Sequence, residues 1–226
     1  MKVSGIKGDI KGVIFDLDGL LVNSEKLYWK ANIQAAKEYN LNIPEDSYLK
    51  LTGATAADMQ AFYHKYFASE HMRDQFIQRT DDLVWQWTDE GKLKLQVGVQ
   101  AALDKFKALN LNMVIASSNY RNVIEHAIWQ TGIRNYFDFY LSYDDVKENK
   151  LAPKPAGDIY ELAAQKLGLG KNEVIIFEDS STGIAASKAA GIQGIMIPDL
   201  LPPKMIDREN ASLICTNFND FLKKIA

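Results

Sequence analysis

The chain has 226 residues, enough for one large domain or a core domain with a smaller companion. Its 26 Lys and Arg against 29 Asp and Glu leave a net charge of -3 with no basic block, which argues against a nucleic-acid partner but not against a small anion held by a local positive group. Cys215 is the single cysteine, so a disulfide framework is excluded and a reducing, cytoplasmic setting is expected. The first twelve residues carry lysines without an apolar h-region, and no apolar stretch is long enough to span a bilayer.

Val13-Ile14-Phe15 is the first of several short, unbroken apolar runs that stop at an acidic or small residue, here Asp16. Continuous runs of this kind suit strands buried on both faces of a parallel sheet. The next stretch, about Glu25 to Lys94, holds no convincing strand. Met59, Phe62, Tyr63, Tyr66 and Phe67 repeat at helical spacing, as do Phe76, Thr80, Leu83, Val84 and Trp87. Thr55, three residues before Asp58, is placed to cap the first of these helices. Trp29, Trp85 and Trp87 fall here too and read as the core of a small helical unit.

Further along, strand and helix alternate. Helical patterns at Leu103–Leu109, Val123–Ile128, Ile159–Leu167 and Ala185–Ala190 are closed near Asn110 and at Gly132, Gly168 and Gly191. Between them lie Met113–Ala116 before Ser117, a weaker run at Phe139–Leu141, Val174–Phe177 before Glu178, and Gly194–Ile197 before Pro198. The expected fold is a doubly wound α/β core, residues 1–23 and 95–226, with a helical insert at 24–94.

In an open parallel sheet, ligands sit beyond the carboxyl ends of the strands. That rule converges Asp16, Asp18, Ser117, Glu178 and Asp179 although they are far apart in sequence. Asp16-Leu17-Asp18-Gly19 places two carboxylates where a glycine lets the chain bend, and close carboxylates call for a cation or a shared proton. Glu178-Asp179 adds hard oxygen ligands of the kind magnesium prefers. Ser117-Ser118-Asn119, at a strand-to-helix junction, is a candidate phosphate cradle. Pro153-Lys154-Pro155 stiffens the backbone around one lysine. Each group alone has a plain structural explanation as a turn, a cap or a solvated loop; the ordered set points to chemistry.

VIFDLDGLLVNS (13–24), Ser117, Lys154 within KPAGDIY, and FEDSSTGIAASKAAG (177–191) resemble the ordered motifs of the haloacid dehalogenase superfamily. The insert is similar to the cap of its β-phosphoglucomutase-like branch. The resemblance implies Asp16 as nucleophile, Asp18 as general acid and base, Ser117 and Lys154 as phosphoryl-binding groups, and magnesium on Asp16, the Asp18 carbonyl and Asp179, with Glu178 either ligating it or supporting it through water. Asp18 favours phosphate esters, because relatives that cleave carbon–halogen bonds or phosphonates lack a carboxylate there. Asn23 stands where many relatives have Asp, and a changed local hydrogen bond is expected. Ala56, in the loop containing Gly53, stands where sugar phosphomutases carry an arginine, and Tyr28 where they carry a histidine.

A phosphatase of small phosphorylated metabolites is therefore the leading expectation, with no nucleic-acid or membrane partner and a monomer by default. A sugar phosphomutase, with Lys26, Lys30 or Lys50 replacing the missing arginine, is the alternative, and a non-catalytic sensor or scaffold is a third reading. His64, His71 and His126 lack metal-ligand spacing and read as surface or helix-face groups. Cys215 follows Leu213-Ile214 and reads as a small buried hydrophobe. Hinges are expected near Asn23-Ser24 and Gln96–Gly98.

Overall fold

The computed structural model describes residues 1–51, 54 and 56–226. The run 12–15 forms β1 (Gly12–Phe15), every residue of which is buried. Among the described residues, five helices then separate it from the next strand: α1 (Ser24–Glu38), α2 (Glu45–Leu49), α3 (Ala56–Tyr66), α4 (Glu70–Asp89) and α5 (Val99–Ala108). The expected Thr55 cap and the loop glycine Gly53 lie outside the described residues. Helix α4 is capped by Ser69, whose hydroxyl accepts from the Met72 amide at 3.2 Å.

The chain continues through β2 (Asn112–Ala116), α6 (Arg121–Gln130), β3 (Phe139–Leu141), α7 (Tyr143–Glu148), α8 (Asp158–Leu167), β4 (Val174–Glu178), α9 (Ser181–Ala189), β5 (Gln193–Met196), α10 (Met205–Asn210), β6 (Leu213–Ile214) and α11 (Phe218–Leu222). The six strands make one parallel sheet in the order β3-β2-β1-β4-β5-β6. The chain leaves β1 for the β2 side and later returns to place β4 on the other side. The reversal therefore falls at β1, where a doubly wound sheet opens its ligand crevice. Gly132, Gly168 and Gly191 adopt the left-handed conformation that ends their helices.

Alternation along each strand explains the unbroken apolar runs. Phe15 and Phe177 face one side and stack at 5.5 Å, joined by Phe106, Phe218 and Phe221. Ile14, Val114 and Ile176 face the other, against Tyr160 and Ala163 of α8. Both faces are dry, so neither parity of the strand can be polar.

In the helical stretch, α1 packs along α4, and an aromatic cluster fills the interior: Tyr48 lies over Phe76 at 6.3 Å and Phe67 meets Phe76 at 5.0 Å. Trp29 and Trp87 pack on the hydrophobic core as expected. Trp85 does not. It is 41% exposed and stacks on His126 of α6 at 3.8 Å, because two residues along a helix turn the side chain to the opposite face from Trp87. His126 lies half-buried on the face of α6, as expected of a helix-face histidine, and its Nε2 pairs with Asp89 at 2.7 Å.

The two connections between the helical stretch and the sheet run side by side. Val22 bridges Leu95, the Asn23 amide donates to the Lys94 carbonyl at 3.0 Å, and the Lys94 amide donates to the Asn23 side chain at 2.8 Å. The amide side chain at position 23 thus pins one connection to the other. Among the described residues, no helix is long and apolar enough to cross a membrane.

Candidate active site

Asp16, Asp18, Ser117, Lys154, Glu178 and Asp179 all line one cavity of about 670 Å³ beyond the carboxyl ends of β1, β2 and β4. Asp16 follows β1 directly, and its amide donates to the Phe177 carbonyl at 3.0 Å, locking it against β4. Gly19, with φ +74°, turns the chain back. A Cβ there would meet Asp179 Oδ2 at 2.3 Å, so glycine is needed both for the turn and for the approach of that carboxylate. Gln96 clamps the same turn by donating to the Gly19 carbonyl at 2.8 Å.

Lys154 is the positive centre. Its ammonium donates to Asp16 Oδ1 at 2.6 Å, Glu178 Oε1 at 2.7 Å and the Ala116 carbonyl at 3.1 Å, with its side chain 6% exposed. Burial works against the charge, but Asp16 and Glu178 outweigh it and hold the lysine well above its ordinary pKa.

Glu178 is almost wholly committed to protein partners. Besides Lys154, its Oε1 accepts from the Tyr160 hydroxyl. Its Oε2 accepts from the Asp179 amide, the Ser180 amide and the Ser180 hydroxyl at 3.2, 3.3 and 3.1 Å. The carboxylate sits over Gly183, where a Cβ would fall 1.8 Å away. Ser180 in turn caps α9 by accepting from the Gly183 amide at 3.0 Å. Glu178 therefore builds the corner that holds Lys154 and Asp179.

Asp16, Glu178 and Asp179 are all buried, with one oxygen of each within 4.8 Å of the others. Burial raises the Asp16 carboxyl to about 7, with Glu178 and Asp18 adding and Lys154 opposing. Burial, then Glu178 and Asp16, push Asp179 well above the usual carboxylate range. One ammonium does not neutralise three close carboxylates. A hard divalent cation fits this oxygen set and relieves the repulsion.

Asp18 stands half-buried across the cavity. Its Oδ2 accepts from Ser117 Oγ at 3.4 Å and Asn119 Nδ2 at 3.3 Å. Ser117, 1% exposed, also accepts from the Asn119 amide at 3.1 Å, so the Ser-Ser-Asn turn presents its first hydroxyl inward. Sequence reasoning brought this set together and missed Tyr160. A tyrosine at a helix-core position needs a partner for its hydroxyl when buried, and that was the available signal. Lys26, Lys30 and Lys50 do not line the cavity.

A parallel sheet with a helical stretch after its first strand, and a lysine-bridged acidic cluster at its switch point, defines a phosphate-handling α/β enzyme. The chain belongs to the haloacid dehalogenase-like hydrolase family, whose model matches residues 13–197, and it is a phosphatase-type hydrolase of that family. It is 28% identical over 186 residues to a phosphorylated carbohydrates phosphatase of Thermotoga maritima, covering 82% of this chain and 84% of the relative. Its fold matches CbbY of Rhodobacter sphaeroides in complex with phosphate (TM-score 0.75, 21% identity, 92% and 95% of the two chains). It also matches a β-phosphoglucomutase of Clostridium difficile (TM-score 0.73, 22% identity, 93% and 92%).

Proposed function

We propose that the chain is a magnesium-dependent phosphatase of small phosphorylated metabolites, sugar phosphates or similar, working through an aspartyl-phosphate on Asp16. The observation that carries the reading is the buried Asp16 carboxylate, held by Lys154 at 2.6 Å in a cavity that also presents Asp18 and Ser117.

Asp16 attacks phosphorus in line, forming an oxygen–phosphorus bond as the bond to the substrate's alkoxide breaks. Asp18, protonated at that moment, gives its proton to the leaving oxygen. A water then attacks the aspartyl-phosphate while Asp18 takes its proton, and the phosphoryl group leaves as inorganic phosphate with Asp16 restored. Lys154 and the Ser117 hydroxyl donate to the phosphoryl oxygens as charge develops on them. Magnesium would be held by the Asp16 carboxylate, the Asp18 carbonyl and Asp179, and when bound supplies positive charge to the phosphoryl group. Glu178 orients Lys154 and Asp179 from beneath. Residues 24–94 act as a cap that excludes water, moving on the paired connections at Val22-Asn23 and Lys94-Leu95.

The name of the Thermotoga maritima relative supports a carbohydrate ester as substrate. A phosphomutase must hold a second phosphate, and Lys154 is the only cation lining the cavity among the described residues. That weighs toward hydrolysis. The test is phosphate release from a panel of metabolite esters with magnesium, abolished by Asp16→Asn. Metal-loaded protein that releases none across the panel refutes the proposal.

A further inference from the structure

Hydrolysis consumes a water at Asp18 in every turnover, yet the helical stretch walls the catalytic cavity with Glu25, Tyr28 and Ala57. Keeping bulk solvent out strengthens the electrostatics of the first step and obstructs the supply of the second. The second step therefore needs water by a way that the substrate does not occupy.

A cavity of about 420 Å³ between α4 and α6 provides one. It shares Asp18, Tyr28 and Asn119 with the catalytic cavity, so the two spaces meet at the proposed acid and base. Asp18 and Asn119 are half-buried there, whereas Gln78, Asp82, Tyr120 and Asn122 on the same wall are exposed. The space thus reaches from solvent to Asp18 along the seam between the helical stretch and the sheet.

Its lining suits water and disfavours the other participants. At about 30 Å³ per liquid water it holds a file of molecules, and Gln78, Asn122, Tyr28 and Asn119 offer them partners. No Lys or Arg lines it among the described residues, whereas Asp18, Asp81 and Asp82 do. A phosphate ester or free phosphate entering it meets like charge, and a neutral molecule does not.

Side chains clamp the two walls together. Trp85 of α4 stacks on His126 of α6 at 3.8 Å. One turn further along both helices, Asp89 accepts from Gln130 Nε2 at 3.0 Å and pairs with His126 Nε2 at 2.7 Å. Trp85 and His126 themselves line the cavity. The clamp holds α4 on α6 at a spacing that leaves the seam open with the helical stretch in place.

We infer that this seam is the passage by which the hydrolytic water reaches Asp18 while the cap stays docked. The oxygen of that water bonds to phosphorus as the bond from phosphorus to Asp16 breaks, and its proton passes to Asp18. The passage therefore feeds the second half of the reaction alone. The inference rests on the phosphatase reading and adds to it the route of the attacking water.

Filling the passage tests it. Val123→Phe enlarges a half-buried side chain on the α6 wall, and Asn122→Trp does so at an exposed position where folding is little at risk. Each protein is mixed with magnesium and a sugar monophosphate labelled in its phosphoryl group, chased with unlabelled ester and quenched in acid. The time courses give the rate constants for gain and loss of label on Asp16. Both variants lose label about fivefold or more slowly than the parent and gain it within about twofold of the parent's rate, a split that a general structural defect does not produce. Loss of label unchanged in both variants, or gain slowed as much as loss, overturns the inference. If the parent gains and loses label on Asp16 and the variants match it, the passage falls and the phosphatase reading stands. If the parent releases phosphate with Asp16 unlabelled, both fall.

Discussion

Replacing Gly183 by alanine puts a methyl carbon 1.8 Å from the Glu178 carboxyl carbon and Oε1, and 2.1 Å from Oε2, where ordinary contact begins near 3.4 Å. Gly183 opens the first turn of α9 and is held by the Ser180 cap, so the backbone has little freedom to retreat. The carboxylate has to leave its place. It then abandons the ammonium of Lys154 and the four groups that Tyr160, Asp179 and Ser180 direct at it. Each hydrogen bond to a charged group is worth ~1.5–3 kcal/mol, but these act on one carboxylate and do not add. Breaking a buried ion pair as a unit costs ~3–5 kcal/mol, which sets the expected loss. At about 2–4 °C per kcal/mol for a chain of this size, Tm falls by ~6–20 °C. Thermal melting followed by circular dichroism measures it, with Gly170→Ala as control. Gly170 is exposed, has φ -71°, and offers a new Cβ no neighbour closer than 3.3 Å. A Gly183→Ala protein melting within ~2 °C of the parent would refute the reasoning, as would an equal loss when Glu178 has first been shortened to alanine.

Four further outcomes are expected. Asp179→Asn removes one of three clustered carboxylates and raises the magnesium concentration for half-maximal phosphate release by ~10-fold or more, the scale typical even of groups that only support a ligand; an unchanged titration contradicts the assignment. Lys154→Met leaves Asp16 and Glu178 without their shared cation and destabilises the protein by ~3–5 kcal/mol, read by urea unfolding. Trp85→Ala removes the stack on His126 that ties α4 to α6, worth about 0.5–1.5 kcal/mol beyond burial, and lowers Tm by a few degrees. Burial pushes the Cys215 thiol up to about 11. The folded protein therefore holds it protonated at pH 8, and a maleimide probe labels it slowly until denaturant is added or the pH approaches that value; rapid native labelling at pH 8 would count against the burial.

The convergence of the candidate-site residues on one cavity was legible in the sequence for a physical reason. A strand buried on both faces reads as an unbroken apolar run, and its first polar residue marks the carboxyl end of the sheet. Asp16, Ser117 and Glu178 are each such a residue, so three points of the site follow from hydrophobicity alone. Lys154 was legible because prolines on both sides set a lone cation in a stiff loop. Strand limits moved slightly: the run expected at 194–197 pairs as Gln193–Met196, since pairing with β4 and β6, not apolarity, sets the ends.

Other features were hidden because they depend on what lies across space. Helices α7, α10 and α11 have five or six residues, too few for a period to show, although Ser142 and Asp145 form a reciprocal capping box at the start of α7. Trp85 looked like its neighbour Trp87, and only the partner helix decides which of two opposite faces is the interior. Tyr160 and Gly183 carry no local mark of their use. Their use is set by one carboxylate carried on a different strand, and no local pattern reports that.

Mapping the phosphoryl group during turnover tests the central claim most directly. Protein mixed with magnesium and a sugar monophosphate, quenched in acid within the first turnovers and digested, should carry one phosphoryl group on the peptide containing Asp16, absent in Asp16→Asn. Steady phosphate release with that peptide unlabelled, or with the label on Ser117, would contradict the account.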